Sequence, residues 1–497
     1  MSSELSIEKL QACVGKEFVH TEMTEKKIAG TPYRGGVAQV DFLAIVDPGD
    51  VNEISTVVQY CAEENIAITT QGGLTSLTLA SIPTPVEKEQ RLQIILRMKR
   101  LHNILSFKYD SAGKVIAVTA QPGITLASLN EALKPLRVKV PIGLAIGYQA
   151  ELGGMVATNA GGTEAAFKGR PETLVEALEV VTAEGAIVHL PRDDSPHLQL
   201  KDFIGQEGTT GIITAITIKT IPLPSQRKVA LIETQTLTGM YRLLQLLKDQ
   251  VGVYLNAFER IDLNILNLMC YYYQKPDPFL QRRELGKKPA KHVLLIELDA
   301  ENLQIDLGQK LQHVLNTAKE SDIIESFWMG NTEHEAKEIW SYRNVILSES
   351  IKRRAHDVTG TTVAFDLGLP AEDHAPFPSD AFEKKLKAHL PDIELYSFGH
   401  AAGGGKGGTL LHFDIVVSKG TDAASIEILK QIVYQEIVAR HGTIAAEHGI
   451  GIYRQTDFKK YDPEGYKIRL ERKKRLDPKN IFNPGKVVSI ADVKGAD

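Results

Sequence analysis

The chain has 497 residues, more than one hydrophobic core usually serves, so two or more domains are expected. With 43% hydrophobic and 24% charged residues and a mean hydropathy of −0.13, it has the composition of an ordinary soluble globular protein. Net charge −5, with no arginine-rich or aromatic-interleaved patch, argues against a nucleic-acid surface, and no apolar run approaches the roughly 20 residues that span a bilayer.

Residues 1–37 read as an N-terminal helical segment. The opening MSSELSIEKLQACVGKE has neither an apolar secretory core nor an arginine-rich presequence. Cys13, Cys61 and Cys270 are too scattered for a metal pair or a disulfide framework. A reduced cytoplasmic setting is expected, with any membrane association peripheral to the inner face. A first domain is expected over 38–224. Val51–Ala62 places Val51, Ile54, Val57, Val58 and Cys61 at helical spacing, with Asp50 or Asn52 near its start. Ile66–Leu79, IAITTQGGLTSLTL, then passes from a β-branched run into Gly72-Gly73 and Thr75-Ser76. A glycine bend followed by hydroxyls can bare backbone N–H groups to a phosphate, and can equally be a plain turn. The spacing matches neither the dinucleotide fingerprint nor the Walker loop.

Leu92–Leu96 and Lys114–Thr119 read as strands, Gln121-Pro122-Gly123 as a turn and Thr125–Leu133 as a helix. Leu152–Gly162, LGGMVATNAGG, carries four glycines and is expected to make a poor ordinary helix. It should let main chain approach something flat or charged, or form a tight packing corner. Strands Val175–Val181, Ala186–Leu190 and Ile212–Lys219 surround a third glycine segment, Phe203–Gly211. Pro222-Leu223-Pro224 marks a boundary. Over 225–455, strands such as Val293–Leu298 and His412–Val417 alternate with helices such as Leu303–Lys319 and Ala423–Ala439, which predicts an α+β domain with an antiparallel sheet. The last segment, 456–497, holds the basic helix Tyr466–Arg475, read as a solvated face rather than a membrane or acidic-partner site, and ends in NIFNPGK at Asn480–Lys486.

In order, QGGLTSL, LGGMVATNAGG, FIGQEGTTGI, the WSYR of Trp340–Arg343, EHGIG at Glu447–Gly451 and NPGK make the chain resemble the FAD-binding superfamily of vanillyl-alcohol oxidase and p-cresol methylhydroxylase (PCMH) type. Within it the resemblance is to the branch of D-lactate and D-2-hydroxyglutarate dehydrogenases, and it runs from about Phe42 to Val488. It implies an α+β fold: an FAD domain of two α/β subdomains, a cap domain with an antiparallel sheet, and a C-terminal segment returning to the cofactor. It implies that Gly72, Gly73, Thr75 and Ser76 hold the FAD pyrophosphate and that Gly154, Thr158 and Gly162 line the cofactor. Gly205, Glu207, Gly208 and Ile213 would sit near its adenosine portion or the adjoining strand, and Asn483 would approach the isoalloxazine. Gln71–Ser76 lacks the His or Cys that attaches FAD covalently in some relatives, so dissociable FAD is expected.

Oxidising a hydroxy acid requires a group to take the hydroxyl proton as hydride leaves for the flavin, a role that suits histidine, and a metal on the alcohol oxygen eases the loss. The resemblance implies His400, His412 and Glu447 as ligands of zinc or manganese, His448 as base, and Arg343 as a bidentate clamp on the substrate carboxylate. It also implies an external electron acceptor such as a quinone, flavoprotein or cytochrome. The branch joins its two metal histidines by a short Gly-His-x-Gly-Asp-Gly-Asn-x-His run, whereas here twelve positions separate His400 from His412, and the Asp and Asn are gone. A longer loop can still bring both rings to one ion, and Lys406 on it offers a substitute charge. Metal-bound and metal-free sites both stand at this point. Gln71 and Leu74 replace the usual Arg and Gly of the first loop. Leu347 and Ala364 occupy positions that hold a second carboxylate in hydroxyglutarate enzymes, which favours a D-lactate-like monocarboxylate. The alternatives are a metal-free flavin enzyme for another hydroxylated substrate and a non-catalytic electron-transfer subunit; self-association stays open.

Overall fold

The computed structural model describes residues 3–33, 36–191, 197–344, 346–370, 377–400 and 409–495. The chain divides into two compact units: Met1–Gly162 with Gly169–Pro222 and Glu447–Asp497, and Thr163–Lys168 with Leu223–Ala446.

The first unit contains two larger sheets. One has the order Val19–His20, Ala44–Val46, Gln93–Arg97, Ala67–Gln71, with its last three strands parallel. Helix Val51–Glu63 connects two of these strands, and Asp50 caps it by accepting from the N–H groups of Asn52 and Glu53 at 2.8 and 2.9 Å. Its Ile54, Val57, Val58 and Cys61 are fully buried against Ile68, Ile94 and Leu96, as the helical spacing requires. The other sheet has five antiparallel strands in the order Ile104–Tyr109, Val115–Ala120, Ile212–Lys219, Val175–Val181, Ile187–Pro191. The C-terminal NIFNPGK run extends the edge of the first sheet, with Ile68 and Phe482 forming a parallel bridge.

Leu152–Thr158 is a helix despite its glycines. A Cβ on Gly153 would lie 2.5 Å from Cβ of Pro122, so glycine lets the helix press against the Gln121-Pro122-Gly123 turn. A Cβ on Gly154 would meet nothing within 4 Å, so that face opens onto space. Gly153 thus serves tight packing, while Gly154 leaves bare main chain on the open side.

The basic helix differs from its expected solvated face. Within Pro463–Leu476, Lys473 is buried and donates to Asp477 Oδ2 at 2.6 Å and to the Thr209 and Phe482 carbonyls. Arg469 donates to the Gly205 carbonyl, and Arg472 and Arg475 converge on buried Asp202. These cations tie the helix to the glycine segment 203–211. Asp477 also accepts from the N–H groups of Ile481 and Phe482 at 2.9 and 2.7 Å. Asp477→Ala is expected to destabilise this unit by about 3–5 kcal/mol, because it strands a buried ammonium; a denaturant titration read alongside FAD retention measures it.

The second unit is built on a seven-stranded antiparallel sheet with the order Ser326–Met329, Gln226–Thr234, His292–Ala300, Leu255–Asp262, Glu394–His400, Leu410–Val417, Thr361–Gly368. Alternate residues of one strand enter different cores: Ala230 and Ile232 pack with helices Leu237–Val251 and Leu307–Glu320, Val229 and Leu231 with Leu263–Tyr273 and Ile346–Asp357. Both faces are therefore covered. The helix expected from Leu303 starts at Leu307, because Asp306 caps it by accepting from the Gln309 N–H at 2.8 Å.

Candidate functional site

One cavity of the first unit gathers most of the residues assigned to the cofactor. Gly72, Gly73, Thr75, Ser76, Gly154, Thr158 and Gly162 line it, as do Glu207, Gly208, Ile213 and Asn483, together with Glu447 and His448. Its empty volume, counted to the open mouth, is about 1440 Å³. The space within it that water-sized molecules can occupy is about 290 Å³, near the lower end of the roughly 300–1,000 Å³ of small-ligand pockets. Gly205 is not part of this lining; its N–H bonds the Val156 carbonyl, and its own carbonyl accepts from Arg469.

Local geometry explains the glycines. A Cβ on Gly73 would lie 2.0 Å from the Gln149 carbonyl oxygen, so only glycine lets the loop run against that strap, and Gln149 Nε2 donates to the Gly73 carbonyl at 2.8 Å. Leu74 has φ +57, the left-handed conformation that glycine adopts without cost. The backbone has thus kept a glycine's shape where the usual glycine is absent. Ser76 Oγ accepts from the N–H groups of Thr78 and Ala80, which folds the loop back on itself.

Glu207 organises the opposite wall. Its carboxylate accepts from the Ile450 and Gly451 N–H groups at 2.7 and 2.8 Å, and its carbonyl accepts from Asn483 Nδ2 at 2.7 Å. Burial pushes its carboxyl up, and those two N–H bonds with Arg469 and Arg454 oppose the shift. Asn483 Oδ1 in turn accepts from the Thr70 N–H and from Lys486 Nζ. Lys486 is buried, and burial together with neighbouring Lys473 brings its ammonium down to about 7. The Gly162 N–H donates to Glu447 Oε1 at 3.1 Å, and the His448 carbonyl accepts from Thr78 Oγ1 at 3.3 Å, so Glu447 and His448 are both anchored within this unit.

Residues that fit FAD are present. Thr70 Oγ1 and Glu151 Oε2 belong to cavity-lining residues and are sealed from solvent without a hydrogen-bond partner among the described residues, and the wall at Gly154 is bare main chain. Glu151 escaped the sequence reading, because a carboxylate beside a phosphate loop carries no motif. Burial raises its carboxyl to about 7, against the opposing pull of Arg97.

The second unit holds a separate cluster. Glu259, wholly buried in the central strand Leu255–Asp262, accepts from Arg343 Nε at 2.5 Å through one oxygen and bonds His400 Nδ1 through the other. Burial raises its carboxyl, but Arg343 and His400 outweigh that and hold it below the usual carboxylate range. Arg343 follows helix Glu333–Ser341, which is anchored when Trp340 Nε1 donates to buried Glu297 at 2.6 Å. The His400 and His412 rings lie 6.4 Å apart between centroids, on the paired strands Glu394–His400 and Leu410–Val417. The His412 ring packs against Phe398 at a tilt of 41° and has Asp366 Oδ1 at 3.9 Å from Nδ1. A carboxylate on the far nitrogen of an imidazole is the usual support of a metal-ligating histidine; Glu259 gives His400 that support, and the His412 ring lies beside it, so the pair fits a divalent ion chemically. Leu347 is fully buried in an apolar cluster, and Ala364 pairs opposite Asp414. Lys406, with the rest of 401–408, lies outside the described residues. Among the described residues no helix is long and apolar enough to cross a membrane.

Comparison with known proteins adds identity to this geometry. Residues 42–191 match the FAD binding domain family, and residues 223–487 match the C-terminal domain family of FAD linked oxidases. The mitochondrial D-2-hydroxyglutarate dehydrogenase of Bos taurus is 29% identical over 452 residues, covering 89% of this chain and 76% of that protein. The Arabidopsis thaliana enzyme of the same name is 28% identical over 447 residues, covering 89% and 74%. The crystal structure of p-cresol methylhydroxylase with substrate bound superposes with a TM-score of 0.71 at 15% identity, covering 97% of this chain and 96% of that one, which establishes the PCMH-type fold. The second match alone spans more than half the sequence, and with the FAD-domain match ahead of it the chain belongs to the FAD linked oxidases.

Proposed function

We propose that the protein is an FAD-dependent dehydrogenase that oxidises a D-2-hydroxy acid to the 2-oxo acid and passes electrons to an external acceptor. The observation that carries this is the Arg343–Glu259–His400 chain, in which one buried carboxylate holds both a carboxylate-binding guanidinium and an imidazole. FAD, when bound, supplies the hydride acceptor, and a zinc or manganese ion held by His400, His412 and Glu447 would acidify the substrate hydroxyl. Arg343 uses Nε for Glu259, and its terminal nitrogens form the fork that binds the substrate carboxylate. His448 takes the hydroxyl proton. Glu207 fixes the turn that carries it by binding the next two N–H groups but one.

The preferred substrate is a monocarboxylate of the D-lactate kind. A second carboxylate needs a second cation, and the positions that would hold it are Leu347 and Ala364. The relatives named for D-2-hydroxyglutarate make that dicarboxylate the competing substrate. Anaerobic flavin bleaching with D-lactate, L-lactate, longer D-2-hydroxy acids and D-2-hydroxyglutarate decides between them. D-lactate is expected to bleach the flavin fastest and L-lactate not at all. Prior chelation should slow the reaction by roughly a hundredfold, since a Lewis acid supplies several kcal/mol. Faster bleaching by D-2-hydroxyglutarate would overturn the monocarboxylate preference, undiminished bleaching after chelation the metal. Failure of every hydroxy acid would leave a flavin-binding electron-transfer subunit.

A further inference from the structure

The Glu151 carboxyl occupies an odd place for an acid. It immediately precedes helix Leu152–Thr158 but makes no capping hydrogen bond to it. Instead it turns toward the glycine loop: a Cβ built on Gly72 would lie 3.1 Å from Glu151 Oε2, and that oxygen is sealed from solvent with no partner among the described residues. Gly72 and Glu151 line the same cavity. An ionised carboxylate on that wall would repel a phosphate bound in the cavity, whereas a neutral carboxyl can donate a hydrogen bond to it.

We propose that Glu151 enters the cofactor site as the neutral acid and donates its proton in a hydrogen bond to the FAD pyrophosphate at the Gly72–Ser76 loop, so that binding FAD takes up one proton. The inference rests on assigning that loop to the pyrophosphate. Its pH sense follows from which form binds. Below the carboxyl's own pKa in the flavin-free protein the donor is present and affinity is highest. Above it each FAD must bring a proton, and the dissociation constant climbs about tenfold per pH unit until the pKa of the bound state is reached. Burial already holds the carboxyl near 7, so the climb falls in an accessible range. Other charges border it. Arg97, on strand Gln93–Arg97, pulls the other way but is itself paired with Asp47. Glu207, Glu447 and His448 line the same cavity, and Lys486 stands behind Asn483. Only a substitution at Glu151 separates its proton from theirs.

The test uses full-length protein, deflavinated and titrated with FAD between pH 6 and 9 by quenching of flavin fluorescence, with calorimetry in two buffers of different ionisation enthalpy to count protons. The wild type should show a dissociation constant rising roughly tenfold per unit above neutrality and an uptake near one proton. Glu151→Gln keeps a donor without a charge and should bind FAD with little dependence on pH, tighter than wild type at pH 9. Glu151→Ser, a smaller donor, should be equally flat and guards against a folding defect in the first variant. A flat wild-type profile, or the wild-type slope persisting in both variants, would overturn the proposal while leaving the cofactor assignment intact. Riboflavin, which lacks the pyrophosphate, should show none of the effect. Pyrophosphate-independent binding, with riboflavin and FAD equal at every pH, would instead bring down the loop assignment itself.

Discussion

Alanine at position 448 is expected to slow hydroxy-acid-dependent flavin bleaching by about 10²–10⁴-fold, the usual contribution of a general base, while FAD stays bound. The main chain of the EHGIG run is held independently of the imidazole. Glu207 binds the Ile450 and Gly451 N–H groups, and Thr78 Oγ1 donates to the His448 carbonyl. Gly449 and Gly451 have φ of +81 and +53, and a Cβ on Gly451 would lie 2.0 Å from the Thr78 carbonyl oxygen, so the turn is fixed by its glycines. Removing the side chain therefore removes a proton acceptor while the main chain of the turn keeps these anchors. Flavin content, visible spectrum and thermal midpoint should match the wild type, and the pH profile of the residual rate should lose its acid limb. Unchanged bleaching by His448→Ala would end its assignment as base.

What could be read in the sequence was what depends on local chemistry. A Gly-Gly step between a strand and two hydroxyls, glycines spaced through LGGMVATNAGG, and a glycine turn after Glu447-His448 each constrain main chain whatever surrounds it, and the structure sets these stretches around one cavity. The buried charges could not be read in that way. Glu259 meets Arg343 from 84 residues away and His400 from 141, and nothing in LNAFERID distinguishes its carboxylate from a solvent-facing one. Glu151 likewise becomes unusual only because Gly72 lies beside it. The basic helix shows the same limit from the other side: Lys473 and Arg472 look like a solvated stripe until Asp477 and Asp202 are seen to receive them. Periodicity reports which face is apolar, but whether a charged face meets water or a buried counter-charge depends on tertiary partners.

The largest stability effect is expected at Glu259. Glu259→Ala would leave the Arg343 guanidinium, whose side chain is only 12% exposed, without its counter-charge, and would release His400. Breaking a buried pair in this way costs about 3–5 kcal/mol. For a domain of this size that lowers the thermal midpoint by roughly 10 °C. Packing should survive at the strand itself, since neighbouring Phe258 and Ile261 are wholly buried. Glu259→Gln separates stability from function. The amide keeps the shape and one acceptor oxygen, which serves Arg343 or His400 but not both, so its thermal midpoint should fall less than that of the alanine variant. Yet the orientation of the guanidinium is lost along with the charge. Its KM for D-2-hydroxy acids should rise at least tenfold, the worth of about 1.4 kcal/mol of carboxylate binding, and its hold on the zinc or manganese proposed for this site, read against a competing chelator, should weaken in parallel. If Glu259→Gln leaves both KM and metal retention at wild-type values while Glu259→Ala is merely unstable, the carboxylate is structural and Arg343 and His400 act without its support.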